Sequence, residues 1–215
     1  MLNMEKYGVL RFALVLMLIC LLAGLALSGS YRLTRPEIEK REREEQKRAL
    51  EVVLPEAVSF SGPQKGRAID FYRGFDENGR LVGYAFLGEA KGYSGEIKVM
   101  VGIDPKGTIT AIEITGQKET PGLGDKIVRV PARRTLWQVL LGKEEGPVPS
   151  RPPFQAQFAG RRLDGLKVVN HPTESDIEAI TGATISSRGV TEAVRGSLST
   201  FLQQMENTEF KSSSQ

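Results

Sequence analysis

Cysteine and histidine are nearly absent from this chain of 215 residues, which contains one Cys (Cys20) and one His (His171). A single Cys excludes an internal disulfide, a Cys-x-x-Cys redox pair, an iron–sulfur cluster held by cysteines and c-type haem attachment. A single His leaves little room for a zinc site built from histidines. Redox chemistry in this chain would therefore require an organic cofactor.

An excess of charge of one sign is also lacking, because 29 basic and 26 acidic residues give a net charge of +3. So small an excess does not indicate a nucleic-acid-binding protein, and we expect no nucleic-acid partner. The length and the hydrophobic content of 40% suit one folded domain with an appendage.

The appendage is an apolar N-terminal stretch that follows a short segment over residues 1–8. No residue from Phe12 to Leu27 is polar, and with its flanks the stretch covers residues 9–29, enough to span a bilayer at roughly 20 residues. A cleaved signal peptide is the alternative, because Lys6 and Arg11 form a basic start and Ala26-Leu27-Ser28 is a passable cleavage site. We expect a retained anchor, because the apolar run exceeds a usual signal sequence.

A charged segment over residues 30–55 follows the span, and its Glu/Arg pairs four residues apart predict a stalk helix from Pro36 to Leu54. Basic residues are more numerous after the span than before it, which by the positive-inside rule places the following domain in the cytoplasm. Acidic residues are interleaved with them, and large domains can cross a membrane despite such charges. Charge alone therefore leaves the orientation open.

Residues 56–207 form the expected folded domain, and the polar residues 208–215 an expected disordered tail. Two hairpins are predicted, with turns at Asp76–Gly79 and Asp104–Gly107. On the return strand of the second hairpin, Ile109, Ala111 and Glu113 would share a face.

The second half of this domain carries weaker patterns. The segments RPPFQAQFAGRR and LKVVN are interpreted as short strands, and residues 187–205 as an amphipathic helix. Strands first and a helix last favour an α+β fold.

The segment Thr181-Gly182-Ala183-Thr184-Ile185-Ser186-Ser187 comes directly before this last helix. A helix N-terminus offers free backbone N–H groups and the positive end of the helix dipole, which suits an anion such as phosphate. The alternative is an ordinary helix N-cap, which Ser and Thr commonly provide.

A second segment, Glu119-Thr120-Pro121-Gly122-Leu123-Gly124, fits a tight turn with positive φ at glycine. Its glycines and Leu123 could form a thin wall against a flat ligand. The alternative is a plain surface loop.

Together the two segments resemble the FMN-binding domain of membrane electron-transport complexes. The pattern E-T-P-G-L-G, followed some sixty residues later by S/T-G-A-T-x-S/T-S, is similar to the G subunit of the Rnf ion-translocating complex. The related C subunit of the sodium-translocating NADH:quinone reductase shares these motifs. The resemblance extends from the N-terminal anchor through GYSGEIKVMVGID to TGATISSRGV, nearly the whole chain.

The resemblance implies a covalent FMN whose phosphate is esterified to the hydroxyl of Thr184 by a separate flavin transferase. It also implies a phosphate cradle and a flavin-ring environment. The cradle would comprise Thr181, Gly182, Ala183, Ser186 and Ser187, and the ring would lie along Glu119, Thr120 and Leu123, with Tyr93 and Ser94 on a facing turn.

The function implied is that of a membrane-anchored flavoprotein that relays electrons as one component of a ferredoxin:NAD-type ion-translocating complex, rather than a stand-alone enzyme. Its partners would be the other subunits, and its domain would lie outside the cytoplasm. One alternative is a non-redox, membrane-tethered binding or scaffolding module with a vacant anion site. Another is a regulatory or reductase protein with the same domain, but such proteins usually carry extra membrane helices or ferredoxin-type cysteines.

Two residues depart from the family pattern. Gln117 stands where His is common, which removes a possible proton donor near the flavin. Glu178 stands three residues before the S/T-G-A-T motif, where Asp is favoured. Glu178 also completes Ser175-x-x-Glu178, the pattern of a helix capping box.

Overall fold

The computed structural model describes residues 2–129, 151–169 and 176–212. It divides into two compact units, Met1–Glu45 and Gln46–Gln215. A single helix, α1 (Leu2–Val53), forms the first unit and enters the second. The predicted stalk helix is thus part of a longer helix with Pro36 inside it, and exposed ion pairs such as Arg35–Glu39 (2.8 Å) flank that proline.

Within the described residues, α1 is the one helix that is long and apolar enough to cross a membrane. An 18-residue window in it has a mean hydropathy of 2.6, and none of that window is buried. Anchor and signal sequence share these properties, so the retained anchor stays a prediction.

Five antiparallel strands form one sheet in sequential order: β1 (Ser59–Gln64), β2 (Phe71–Phe75), β3 (Leu81–Lys91), β4 (Glu96–Ile103) and β5 (Ile109–Gly116). Both predicted hairpins are confirmed as β2–β3 and β4–β5. In each turn an aspartate, Asp76 or Asp104, accepts backbone N–H hydrogen bonds. Gly79 and Gly107 adopt φ values of 73° and 79°, which favour glycine.

One prediction about the return strand is wrong. The pairing shifts between Gly102↔Ala111 and Ile103↔Ile109, so a bulge at Thr110 places Ile109 and Ala111 in different core clusters. The Thr110 hydroxyl donates a 2.5 Å hydrogen bond to the Val53 carbonyl at the end of α1. A tertiary contact with the helix terminus therefore accompanies the bulge.

The last helix extends further than its apolar pattern indicates. The chain has a short helix, α2 (Pro153–Ala156), and ends in a long helix, α3 (Thr184–Ser212). Helix α3 includes residues 208–212, which the sequence assigned to a disordered tail. An apolar pattern marks only the part of a helix that packs on a core, and the backbone hydrogen bonds of the helix can continue beyond that part.

Helix α3 packs against one face of the sheet at very short range. A Cβ on Gly88 of β3 would lie 2.5 Å from the Ala193 carbonyl oxygen, so only glycine permits this approach. The Phe201 ring stacks on Phe86 with centroids 4.8 Å apart and meets the Phe71 ring edge-on at 5.4 Å. These contacts belong to the main core of the domain.

The other face of the sheet carries a smaller cluster. Ala49, Leu50, Val53 and Leu54 at the end of α1 pack with residues of β3, β4 and β5, namely Ala85, Met100 and Ala111. The sheet is therefore covered on both faces by helical residues.

The remaining elements are short. They are 3-10 helices at Gly124–Ile127 and Leu163–Gly165, together with β6 (Val168–Val169), which pairs in parallel with β7 (Ile177–Glu178). The strand predicted in LKVVN is confirmed as β6. The strand predicted in RPPFQAQFAGRR is wrong, because Pro153 begins α2 and the buried rings of Phe154 and Phe158 pack together at 5.6 Å.

Glu178 lies in β7 and not in a first helical turn, so the capping-box interpretation is wrong for it. Its possible partner Ser175 lies outside the described residues. The α+β fold, with an N-terminal apolar helix, antiparallel hairpins and a C-terminal helix, is confirmed.

Candidate functional site

The two motifs singled out in the sequence meet at one cavity of about 510 Å³. The loop after β5 forms one side and the start of α3 the other. The lining residues are Tyr93, Glu119, Thr120, Leu123, Gly124, Gly182, Ala183, Thr184, Ile185 and Ser186. A cavity of this size suits a ligand of cofactor dimensions.

Three of the expected site residues do not line the cavity. The Ser94 backbone N–H donates to Glu119 Oε1 (3.2 Å), and its hydroxyl lies 3.1 Å from that of Thr120. Ser187 is buried behind the cavity wall, and Thr181 is exposed on the preceding turn. Ser94 contacts the lining residues Glu119 and Thr120, and Ser187 contacts the lining residue Ala183. No described contact links Thr181 to the cavity.

Two lining residues, Gly124 and Ile185, were not among the residues expected to hold the phosphate or the ring, although Gly124 is one of the two glycines expected to form the loop wall. Both lie inside the quoted motifs, so their position in the sequence was the available signal. A Cβ on Gly124 would lie 2.6 Å from Glu119 Oε2 and 2.8 Å from Ser186 Oγ. Glycine is needed there because the loop and the helix start approach so closely.

Glu119 joins three segments of the domain. The residue is only 5% exposed, and its Oε2 accepts a 2.6 Å hydrogen bond from the Ser186 hydroxyl. Its Oε1 accepts from Ser94 N–H on the turn after β3. A buried carboxylate is costly unless hydrogen-bonded, so these two donors fix the loop against α3 and the β3–β4 turn.

The start of α3 provides unpaired backbone donors. Within the described residues, the N–H groups of Thr184, Ile185 and Ser186 have no hydrogen-bond acceptor. They stand at the positive end of the helix dipole and beside the cavity. This arrangement suits a negatively charged group.

The three hydroxyl groups in this first turn differ in their partners. The Ser186 hydroxyl donates to Glu119, and the Ser187 hydroxyl donates to the Ala183 carbonyl and accepts from Ile180 N–H. The half-buried Thr184 lines the cavity, and its hydroxyl has no hydrogen-bond partner in the part of the chain that the structure describes. Thr184 is therefore the hydroxyl that is available to a ligand.

The mouth of the cavity is apolar and open. Tyr93, Leu123 and Ile185 are 68%, 50% and 54% exposed, respectively. Gly182, with φ of 80°, brings its backbone to the wall, where a Cβ would touch Leu123 Cδ2 at 3.6 Å. A flat, largely apolar ring fits between such walls.

The two departures from the family pattern both lie outside the cavity lining. Gln117 Oε1 accepts a 2.6 Å hydrogen bond from Glu119 N–H, so this side chain supports the loop. The Glu178 side chain is exposed, and its backbone N–H donates to Gln157 Oε1 (2.7 Å).

Comparison with known proteins agrees with this geometry. Residues 92–199 match the family model described as FMN-binding domain, a range that contains the whole cavity lining. The solved structure of the C subunit of the Na⁺-translocating NADH-quinone reductase from Parabacteroides distasonis has the same fold. Its TM-score is 0.52 at 19% identity, over 77% of this chain and 94% of that one.

Curated relatives extend the match beyond the domain. The chain is 30% identical to the G subunit of the Na⁺-translocating ferredoxin:NAD⁺ oxidoreductase complex of Acetobacterium woodii, over 90% of this chain and 91% of the relative. It is 27% identical to the G subunit of the proton-translocating ferredoxin:NAD⁺ oxidoreductase complex of Clostridium ljungdahlii, over 82% of each.

The fold and the site thus define an FMN-binding domain protein. The chain belongs to the FMN-binding domain family and, within it, to the G subunits of Rnf-type ion-translocating oxidoreductases.

Proposed function

We propose that this chain is a membrane-anchored subunit that carries FMN as a phosphoester on Thr184 and relays electrons between partner subunits. The observation that carries the proposal is the Thr184 hydroxyl beside three backbone N–H groups at the start of α3, all four without a hydrogen-bond partner among the described residues. When bound, FMN supplies the redox chemistry, because it accepts two electrons and releases them singly.

The residues that line the cavity fit FMN. The ester oxygen would come from Thr184, and the N–H groups of Ile185 and Ser186 would hold the phosphate charge. Leu123 and Tyr93 would flank the ring at the mouth of the cavity. Glu119 touches Ser186 and so positions the helix start.

We propose that a separate flavin transferase makes the attachment. Among the residues that line the cavity, Glu119 is the one carboxylate, and it is already bound to Ser186 and Ser94. On this proposal the Thr184 oxygen would replace the leaving group on the phosphorus of an activated flavin nucleotide brought by the transferase. The departing group would carry away the proton of the Thr184 hydroxyl.

The relatives and α1 support a proposal about the partners and the location. Both relatives are named as subunits of ferredoxin:NAD⁺ oxidoreductase complexes, so we propose that other subunits of such a complex donate and accept the electrons. We propose further that α1 anchors the chain and that the domain lies on the extracytoplasmic side. A C-terminal reporter active only outside the cytoplasm tests this, and loss of its signal would overturn the placement.

The decisive experiment is in-gel flavin fluorescence under denaturing conditions, together with intact mass. The full chain is co-expressed with a flavin transferase, beside Thr184→Val, Thr184→Ser and the control Thr115→Val on β5. The wild type and Thr115→Val should fluoresce and weigh more by FMN less one water. Thr184→Val should be dark, and Thr184→Ser should keep part of the signal because it retains a hydroxyl.

A dark wild-type band, with the transferase active on another substrate, would contradict the proposal. It would favour a non-redox binding module instead. A fluorescent Thr184→Val band would show that a different residue carries the flavin.

A further inference from the structure

A second cavity of about 510 Å³ lies between the β1–β2 connection and the C-terminal half of α3. It is lined by Gln64, Lys65, Gly66, Arg67, Ala68, Phe71, Arg73, Thr200, Gln203, Gln204, Met205 and Asn207. Thr200 and Thr184 are about 24 Å apart along the helix, at roughly 1.5 Å per residue, so this is not the flavin cavity.

The lining is positively charged. It includes Lys65, Arg67 and Arg73, and no lining residue is Asp or Glu. Lys65 and Arg67 are exposed on the connection, whereas Arg73 is partly buried on β2. Three cations around one cavity create a local field that favours an anion.

Arg73 is the most informative of the three. It is two residues from Phe71 on β2, so both side chains lie on the sheet face that packs against Phe201 of α3. Its guanidinium stands over the Phe71 ring at 5.8 Å, an arrangement that fixes its orientation. A cation on the core side of a sheet normally has a counter-charge or hydrogen bonds, because burial without them is costly.

That partner is lacking in the described residues. The Arg73 Nε is buried and has no hydrogen-bond partner there. Arginine presents a planar fork of donors that matches phosphate geometry, and lysine adds a compact charge. A phosphate group at this point would pair the Arg73 guanidinium.

The size and the lining of the cavity indicate that the ligand has an organic part in addition to its phosphate. A lone phosphate ion would leave most of the volume unfilled. Phe71 and Met205 provide apolar surface, and Gln203 and Asn207 provide amide groups. The connection itself is held by Gln204, whose Oε1 accepts from Ala68 and Ile69 N–H (2.8 and 3.1 Å). Hydrogen bonds between α3 and the β1–β2 connection therefore hold the two sides of the cavity together.

We infer that this cavity binds an organic phosphate ester, with its phosphate on Arg73, Lys65 and Arg67 and its apolar part on Phe71 and Met205. This goes beyond the proposed electron relay, because it assigns a second ligand site. The ester could be a soluble nucleotide or a lipid headgroup, which share this chemistry.

Isothermal titration calorimetry on the full chain in uncharged detergent at low ionic strength tests the inference. One probe is ADP, and the other is dihexanoylphosphatidylglycerol below its critical micelle concentration. The variants are Arg73→Gln and the double variant Lys65→Gln/Arg67→Gln. Lys65 and Arg67 are exposed, so the double variant should fold like the wild type. The control with matched charge is Arg80→Gln/Lys106→Gln, on exposed turn residues outside both cavities.

At least one probe should bind to the wild type, and it should bind to the control variant with the same affinity. Arg73→Gln should lose about tenfold or more in affinity, the scale of a charged hydrogen bond, and the double variant should also weaken binding. Binding of ADP alone identifies a soluble phosphate, and binding of the lipid probe alone identifies a headgroup. Binding of neither probe at millimolar concentration, or equal binding by wild type and the double variant, overturns the inference.

Discussion

The Glu119 carboxylate accepts a 2.6 Å hydrogen bond from the Ser186 hydroxyl, although the two residues are 67 positions apart in the chain. This contact joins the loop after β5 to the first turn of α3, the two segments that border the flavin cavity. The geometry of the cavity therefore depends on one buried carboxylate.

Removing that carboxylate should destabilise the domain. Glu119→Ala leaves the Ser186 hydroxyl and the Ser94 N–H without their acceptor, at a cost of about 2 kcal/mol. The melting temperature of the full chain should fall by roughly 4–8 °C. Glu119→Gln keeps the shape of the side chain and one acceptor oxygen, so its melting temperature should fall less. The exposed Glu96→Ala serves as the control, and an equal loss there would argue against a specific role for Glu119.

Gly124→Ala tests how closely the loop and the helix start approach each other. The new Cβ would fall 2.6 Å from Glu119 Oε2, so the Glu119–Ser186 contact must open. On the proposed function, the flavin content per protein should fall, measured by absorbance of the denatured chain. Gly196→Ala, whose Cβ meets nothing within 4 Å, should leave flavin content unchanged.

The packing of α3 on β3 predicts opposite effects for two glycines. A Cβ on Gly88 would lie 2.5 Å from the Ala193 carbonyl oxygen, so Gly88→Ala should destabilise the domain by about 1–3 kcal/mol. Gly196→Ala fills open space on the same helix and should stabilise it by about 0.5–1 kcal/mol. Thermal unfolding followed by circular dichroism measures both. Similar shifts for the two variants would contradict the close approach.

Glu113 on β5 predicts a pH dependence of stability. Burial raises the pKa of its carboxyl above the ordinary value of 4.5, and the positive charge of Arg151 only partly offsets this. As the pH rises from 4.5 through the raised pKa, the unfolded chain ionises first, so this group lowers the stability of the folded state. The melting temperature of Glu113→Gln relative to wild type should therefore increase as the pH rises above 4.5, until the carboxyl is ionised in the folded state as well.

Arg151 offers a second test of the same assignment. Arg151→Gln removes the charge that lowers the pKa of Glu113, so the loss of stability should continue to higher pH. A pH-independent difference between Glu113→Gln and wild type would show that Glu113 does not titrate differently in the two states.

The hairpins could be predicted because their turns are local. Asp76 and Asp104 bond to the backbone of their own turns, and Gly79 and Gly107 adopt positive φ. The bulge at Thr110 could not be predicted, because it accompanies a hydrogen bond to Val53 more than fifty residues away. The segment RPPFQAQFAGRR was misassigned because the spacing of Phe154 and Phe158 fits a helix as well as a short strand.

The flavin cavity was predictable from two motifs whose residues meet in space, although Ile185 was missed within the second of them. The second cavity gave no such signal. Lys65, Arg67 and Arg73 are separated by unrelated residues, and only the pairing of β1 with β2 and the packing of α3 bring them together. Isolated basic residues in a sequence usually indicate solvent-exposed positions.

The open mouth formed by Tyr93, Leu123 and Ile185 has a consequence for cofactor exchange. A cavity that does not close around its ligand gives a short residence time, because little apolar surface is removed from water. On the proposed function, an ester bond to Thr184 makes residence independent of enclosure. The ring edge can then remain within reach of an incoming redox partner, so that retention and accessibility no longer oppose each other.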